Sequence, residues 1–217
     1  MRAPEPRGKK RTPASEETRN RILDAARDLA VEEGFSRFTM ERVAERAGVN
    51  RLTVYYQFGS KEELLEALFD HLAARGGLDR LPEAFQEPDP LDGLDRFIEI
   101  FCAFWASDPV GIRRLRSWAA LKPEYEASGH GREPWQREGL LVLVQRIHQA
   151  YGTPAEADVE DVVDVLHALL SPESYEKLTR SGRGQHDVAA LLKRIVRPIL
   201  GLGEGRGPTR PDAPSDA

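Results

Sequence analysis

The chain has 217 residues, of which 40% are hydrophobic and 31% are charged, a composition typical of an ordinary globular protein. No apolar run approaches the roughly 18 residues of a membrane helix, and the basic, proline-rich N-terminus lacks a signal-peptide pattern. The single cysteine, Cys102, excludes an internal disulfide and any multi-cysteine metal site. We therefore expect a cytoplasmic protein with no metal and no cofactor.

Charge is distributed unevenly along the chain, although the net charge is only −5. Residues 1–61 hold 13 Lys and Arg against 9 Asp and Glu, whereas residues 62–217 hold 18 against 27. A basic N-terminal part followed by an acidic remainder indicates that a polyanionic partner binds at the N-terminal end. The alternative is a solvated charged surface with no partner.

Four helices are predicted in the first 75 residues, after a basic arm at residues 1–14 that we expect to be disordered. Apolar residues recur at helical spacing, and a polar cap candidate precedes each run. The predicted caps and helices are Ser15 before a helix to about Glu33, Thr39 before 40–47, Asn50 before 51–57, and Ser60 before a helix to about Ala74. Ser60 and Glu63 form the S-x-x-E capping-box pattern.

The remainder of the chain also has helical patterns and no convincing alternation of period 2. A proline- and glycine-rich break at residues 75–90 is either a linker or an ordered loop. Beyond it, helical patterns cover residues 91–107, 109–121, 134–151, 159–170 and 188–199. Residues 202–217 are of low complexity and predicted to be disordered. The sequence predicts an all-α fold.

The short third helix has an unusual exposed face. Val54 and Phe58 are four residues apart and would face the core. The opposite side would present Leu52, Thr53, Tyr56 and Gln57. From Arg51 to Lys61 every charge is positive. Amide, methyl and guanidinium groups on one helix face are those that read base edges in the DNA major groove.

These residues resemble the DNA-binding domain of the TetR family of transcriptional regulators over roughly residues 16–75. Two segments carry the resemblance, "ILDAARDLAVEEGFSRF" and "TMERVAERAGVNRLTVYYQFGSKEELLEALF". The matching positions are Thr39, Ala44, Ala47, Gly48, Val49, Thr53, Val54, Tyr55, Phe58, Ser60, Lys61, Leu64 and Leu65. The resemblance implies a DNA-binding domain at 15–75, with its helix-turn-helix at 39–58, and a helical ligand-binding and dimerisation domain at 76–201.

The resemblance also implies roles for single residues. Thr39 and Tyr55 would contact phosphates through their hydroxyls, and Lys61 through its ammonium group. The residues expected to face base edges are Arg51, Leu52, Thr53, Tyr56 and Gln57. Leu52 departs from the family pattern, which usually has a small residue there, and could either sharpen readout at a thymine or hinder close approach.

Some of these positions have competing explanations. The Tyr55 ring is also expected to pack partly inward. Arg42 could reach a phosphate or simply be a solvated helix charge. The arm, with its basic residues Arg7, Lys9, Lys10 and Arg11, could follow the minor groove or the backbone, or only keep the chain soluble.

Two amphipathic stripes near the C-terminus are candidates for a dimer interface, which the family forms from its last two helices. The candidate residues are Val163, Leu166, His167, Leu170, Leu192, Ile195 and Ile199. The alternative is that both stripes face the core of their own chain. A two-fold dimer would present two recognition helices to a pseudo-palindromic operator.

The family's small-molecule pocket has candidates only among the aromatic residues and one histidine. These are Phe101, Phe104, Trp105, Trp118 and His148, which suit an apolar or aromatic effector of unknown identity, although such residues are more often plain core. We expect a homodimeric repressor released from its operator by the effector. The alternatives are a DNA-binding regulator or architectural protein without a ligand switch, and an all-α enzyme, for which no catalytic motif is present.

Overall fold

The computed structural model describes residues 13–120, 133–152 and 158–202, and every regular element in these ranges is helical. The all-α prediction is confirmed. The α-helices in these ranges are α1 (Pro13–Glu33), α2 (Met40–Ala47), α3 (Arg51–Phe58), α4 (Lys61–Arg75), α5 (Leu81–Gln86), α6 (Pro90–Ser107), α7 (Pro109–Ala119), α8 (Glu133–Tyr151), α9 (Val159–Leu169), α10 (Pro172–Thr179) and α11 (Gln185–Ile199). Short 3₁₀ turns occupy Phe35–Arg37 and Leu78–Arg80. None of the described helices combines the length and apolarity needed to cross a membrane.

Three of the predicted helix caps are present with their hydrogen bonds. The Thr39 hydroxyl accepts a hydrogen bond from the third residue beyond it, and the Asn50 side chain accepts one from the second, at 3.3 and 2.8 Å. Ser60 and Glu63 form the complete capping box. Gly48 ends α2 with φ +63°, a left-handed conformation that costs other residues free energy. These caps fix the direction in which α3 leaves α2.

The structure differs from the sequence predictions at three places. Ser15 lies inside α1, which begins at Pro13, so its prediction as an N-cap is wrong. The break at 75–90 is an ordered segment containing α5, and Ala84 on α5 is completely buried against α6. Pro13 and Ala14, which the sequence analysis assigns to the arm, begin α1, and Leu202 of the predicted tail is buried. Residues 1–12 and 203–217 lie outside the described residues.

One hydrophobic core extends from the predicted DNA-binding domain, residues 15–75, into the predicted C-terminal domain, residues 76–201. In the first, α1 packs against α2 around Ile22 and Val43. In the second, α6 lies at the centre and contacts α5, α8 and α11. Helices α4 and α7 connect the two, since both contact α1 and α6. A displacement of either connecting helix would therefore change its contacts with α1, in the domain that carries α3.

Candidate functional site

The exposed face of α3 is its most unusual feature. Val54 and Phe58 are buried, which confirms the predicted inward pair. On the other side Leu52 is 73% exposed and Tyr56 is 87% exposed. Leaving two large side chains in water gains no burial energy, and a contiguous patch of this kind usually marks a contact surface.

Thr53 and Gln57 lie beside this patch and are half-buried. The Gln57 side-chain amide donates to the Ser15 hydroxyl at 3.2 Å, and Arg19 donates to the Gln57 main-chain carbonyl at 3.4 Å. The Arg19 guanidinium also stacks over the Phe58 ring, 4.4 Å from its centroid. Helix α1 therefore supports the C-terminal end of α3.

The three residues expected to bind phosphate lie at the N-cap of α2, on α3 and at the start of α4. Lys61 Nζ donates to the Phe38 carbonyl at 2.9 Å, which places its ammonium group next to the exposed Thr39. Tyr55 is partly exposed, with the Arg51 guanidinium 5.4 Å from its ring centroid. Within the described part of the chain, the Tyr55 hydroxyl makes no hydrogen bond. Its proton is available for an oxygen acceptor from outside.

Several arginines of this domain are engaged in ion pairs. Arg51 contacts Glu41 at 3.1 Å. Arg42 forms a two-point contact with Glu33, in which Nη2 lies 2.6 Å from Oε1. This pair joins α1 to α2 and favours a structural role for Arg42 over the alternative of a phosphate contact.

The predicted ligand-pocket residues lie in different packing environments within the described part of the chain. Phe101 and Phe104 are buried in a chain of stacked rings, with 4.6 Å between the Phe104 and Trp105 centroids. Trp118 is buried with its ring 6.0 Å from Phe35. Aromatic rings at helical spacing thus contribute to the core, and a ligand-binding role for them stays a prediction. Trp105 borders a cavity formed by described residues of α6, α7 and α10.

His148 has a different environment. It is buried, and among the residues that the structure describes neither ring nitrogen has a hydrogen-bond partner. Burial lowers the pKa of its imidazole below the usual value. The neutral ring is thus the form that the folded chain favours.

A cavity of about 500 Å³ lies between α7 and α10, at the C-terminal end of α6. Its wall contains Trp105, Ala106, Pro109, Ile112, Arg113, Arg116, Ser117, Ala120, Pro172, Glu173, Tyr175, Glu176 and Thr179. This cavity is not evident from the sequence, because α7 and α10 are separated by about fifty residues and meet only in the folded chain. The matching i, i+3 spacing of the two arginines and the two glutamates was the available signal.

The candidate dimer residues divide into two groups. Val163, Leu166, Leu170 and Leu192 are buried within their own chain and cannot form a contact face, which corrects the assignment of the stripes. Accessible surface remains on His167, Ile195 and Ile199. The stripes stabilise the protomer because α9 packs on α8 and α11 packs on α6.

Comparison with known proteins places these features in context. Residues 22–68 match the model of "Bacterial regulatory proteins, tetR family". The transcriptional regulator TtgR of Pseudomonas putida is 40% identical over 85 residues, 39% of this chain and 40% of that regulator, so the match spans less than half its length. The regulator AlkX of Mycobacterium tuberculosis is 27% identical over 203 residues, 88% of this chain and 90% of that protein.

A solved structure extends the likeness to the whole fold. NalD of Pseudomonas aeruginosa, described as the secondary repressor of the MexAB-OprM multidrug efflux pump, has a TM-score of 0.65 at 23% identity. The match covers 86% of this chain and 97% of that one. Both helical domains of the chain therefore have a counterpart of known architecture.

Proposed function

The chain belongs to the TetR family of bacterial regulatory proteins, and from this premise we propose that it regulates transcription by placing α3 in the major groove of an operator. The observation that carries the proposal is the exposed patch formed by Leu52 and Tyr56 on a helix whose opposite face is buried. TetR-family regulators are not enzymes, which removes the enzymatic alternative. A transcriptional regulator must reach the chromosome, so we also propose the cytoplasm as its compartment.

Three hydroxyl or ammonium groups would position α3 by binding phosphates. Thr39, at the N-terminus of α2, keeps its hydroxyl proton available because the oxygen accepts from the backbone. Tyr55 has an unused hydroxyl donor, and Lys61 would exchange the Phe38 carbonyl for a phosphate. Such contacts fix the register of the protein on DNA and carry no sequence information themselves.

Base readout would come from the remaining residues of α3. The proposed readers are Arg51, Leu52, Thr53, Tyr56 and Gln57. Arg51 would leave Glu41 to pair with guanine, and the amide of Gln57 suits adenine. The fully projecting Leu52 side chain would meet a thymine methyl, so we propose that it sharpens readout rather than hindering approach.

We propose a homodimer that uses a revised contact face. Val165 on α9 is 45% exposed and Ile195 on α11 is 39% exposed, and these two helices are in contact. His167 and Ile199 on the same two helices also keep accessible surface, and we propose that the exposed positions of α9 and α11 together form the contact strip. A two-fold axis through this strip would produce a four-helix contact. The dimer would then present two copies of α3 to a pseudo-palindromic operator.

A small-molecule effector would release the operator, and the cavity between α7 and α10 is the site that we propose for it. Helix α7 lines the cavity and also contacts α1, so occupancy of the cavity can bias the position of α3. A ligand that prefers the conformation in which α3 is misplaced lowers the affinity of the protein for its operator. By linkage, operator DNA lowers the affinity for the ligand by the same factor. We propose repression because the similar structure NalD is described as a repressor.

Selection of genomic fragments by the purified full-length protein, followed by sequencing, tests operator binding. We expect an inverted repeat. On that repeat, Gln57→Ala should relax the preference at one base pair per half-site, and Tyr55→Phe should weaken binding to all sequences without changing its salt dependence. Glu138→Gln, an exposed change on α8, serves as the control. A uniform loss for Gln57→Ala would contradict base readout, and no enriched repeat would contradict the proposed regulator.

Ile195→Glu tests the dimer, because a charge at the centre of an apolar contact is costly. We expect a species near the monomer mass of 24.3 kDa by light scattering, where the native chain has twice that mass. Val110→Glu places the same charge on an exposed position of α7 and should remain dimeric. Equal masses for both variants would place the contact elsewhere.

A further inference from the structure

We propose that Ser15 of α1 sets the base preference of Gln57, because it binds one N–H of the Gln57 amide and so favours adenine over guanine. The inference deepens the proposed function and rests on it, since it requires α3 to lie in the major groove. Ser15 acts through Gln57 and is therefore a positioning residue rather than a reader of DNA.

The contact joins two helices that are far apart in sequence. Ser15 lies in the first turn of α1, and Gln57 lies 42 residues later in the last turn of α3. Gln57 Nε2 donates a hydrogen bond to Ser15 Oγ at 3.2 Å. Both side chains are half-buried, so part of the amide stays accessible to a second partner. The Ser15 hydroxyl, which does not cap α1, thus holds the amide of a residue on α3.

The main chain of Gln57 is held by the same helix. Arg19 lies one helical turn after Ser15 and donates to the Gln57 carbonyl at 3.4 Å. The Arg19 guanidinium also lies 4.4 Å from the ring centroid of the buried Phe58. Because α1 contacts both the main chain and the side chain of Gln57, the amide is ordered before DNA binds. Base readout then costs little further side-chain freedom.

The donors and acceptors that remain on the amide determine which base it fits. A glutamine amide has two N–H donors and one oxygen acceptor. Ser15 takes one N–H, and within the described part of the chain the Gln57 side chain makes no other hydrogen bond. One donor and one acceptor remain, which match the N7 acceptor and N6 amino donor of adenine. Guanine presents two acceptors, N7 and O6, and needs two donors.

The opposite orientation of the amide would reverse this preference. The Ser15 hydroxyl would then donate to Gln57 Oε1, and both N–H groups would remain for the two acceptors of guanine. The structure has Nε2 next to Ser15 Oγ. The base found at this position of the operator therefore reports on the contact between the two side chains.

Operator variants measured by fluorescence anisotropy test the preference in the full-length protein. The position is the base pair at which Gln57→Ala relaxes the preference, and guanine replaces adenine there in one half-site only. We expect the native protein to bind the adenine operator more tightly. Ser15→Ala releases the second N–H and should lower the ratio of the two affinities about fivefold, which is the contribution of one hydrogen bond.

Three controls make the test specific to the hydroxyl. Ser15→Thr keeps the hydroxyl and should keep the native ratio. Thr18→Ala removes a hydroxyl of the same helix that bonds to the Ala14 carbonyl, and should also keep it. In a Gln57→Ala background, Ser15→Ala should leave the ratio unchanged. A purely structural role of Ser15 would weaken binding to both operators equally, and that result, or a native preference for guanine, would overturn the inference.

Nuclear magnetic resonance of the free protein tests the contact without DNA. The ¹H–¹⁵N nuclear Overhauser effect of the Gln57 side-chain amide reports its motion on the picosecond to nanosecond timescale. It should fall in Ser15→Ala and stay at the native value in Thr18→Ala. An amide that is equally mobile in the native and Ser15→Ala proteins would contradict the proposed contact.

The outcomes separate this inference from the proposed regulator. An operator whose adenine-to-guanine ratio is the same in native and Ser15→Ala proteins rejects the role of Ser15 and leaves the regulator standing. A genomic selection that yields no operator rejects the regulator, and the role of Ser15 with it. A reduced ratio in Ser15→Ala, restored in Ser15→Thr, supports both.

Discussion

Replacing Asp108 by asparagine preserves the shape of the side chain and removes the charge that joins α7 to α1. The carboxylate is only 13% exposed and accepts hydrogen bonds from Arg27 and from the Gly111 backbone N–H. The amide retains the helix cap but loses one acceptor and the ionic contact. Because Arg27 is about one-third exposed and can be rehydrated, we expect a cost of about 1–2 kcal/mol in the free energy of unfolding, below that of a fully buried pair.

The pH dependence identifies the cause. Burial alone would raise the pKa of Asp108, but the hydrogen bonds from Arg27 and Gly111 outweigh it and hold the pKa below the usual value. A carboxyl group with a lowered folded pKa stabilises the fold above its unfolded pKa of about 3.9, and this stabilisation is lost as the pH falls through the folded value. The difference between native and Asp108→Asn proteins should therefore be constant from pH 7 to 5 and shrink below about pH 4.

Urea unfolding at a fixed protein concentration measures this difference, since the concentration also affects a dimer. At pH 7 the expected shift of the midpoint is roughly 0.5 M, with an unchanged slope. Glu138→Gln, an exposed acid on α8, should change the free energy by less than about 0.5 kcal/mol. The explanation fails if Asp108→Asn unfolds with the native midpoint at pH 7, or if its deficit is the same at pH 3.5.

Three further outcomes are expected. Lys61→Met should lower the slope of log affinity against log salt by about one unit for operator DNA, measured by fluorescence anisotropy, and an unaltered slope would place Lys61 away from the phosphates. Gly93→Ala should lower the melting temperature, because a Cβ at this position would lie 2.5 Å from the Ala84 carbonyl oxygen. An unchanged melting temperature would contradict this and mean that α5 shifts at little cost. His148→Leu should raise stability by about 1 kcal/mol at pH 7, since the buried ring finds no hydrogen-bond partner among the described residues. The gain should be larger at pH 5.5, because the lowered pKa of His148 makes the native protein lose stability as the pH falls below about 6.5; urea midpoints that fall equally in both proteins would contradict this.

The local elements of this protein follow from short stretches of sequence. Thr39, Asn50 and the Ser60–Glu63 box make their contacts within three residues, so neighbouring residues alone determine where α2, α3 and α4 begin. The inward placement of Val54 and Phe58 follows from helical periodicity in the same way. The exposure of Leu52 and Tyr56 on the opposite face follows from the same periodicity, whereas Thr53 and Gln57 are half-buried.

Contacts between distant segments were decided only by the tertiary structure. Phe101 and Phe104 have the spacing of a pocket lining and of a core equally, and packing against other helices assigned them to the core. Val163 and Leu192 likewise face inward because α8 and α6 cover them. The cavity and the Arg27–Asp108 pair bring together residues about sixty and eighty positions apart. Helical periodicity states which residues share a face, but the partner of that face depends on how the whole chain packs.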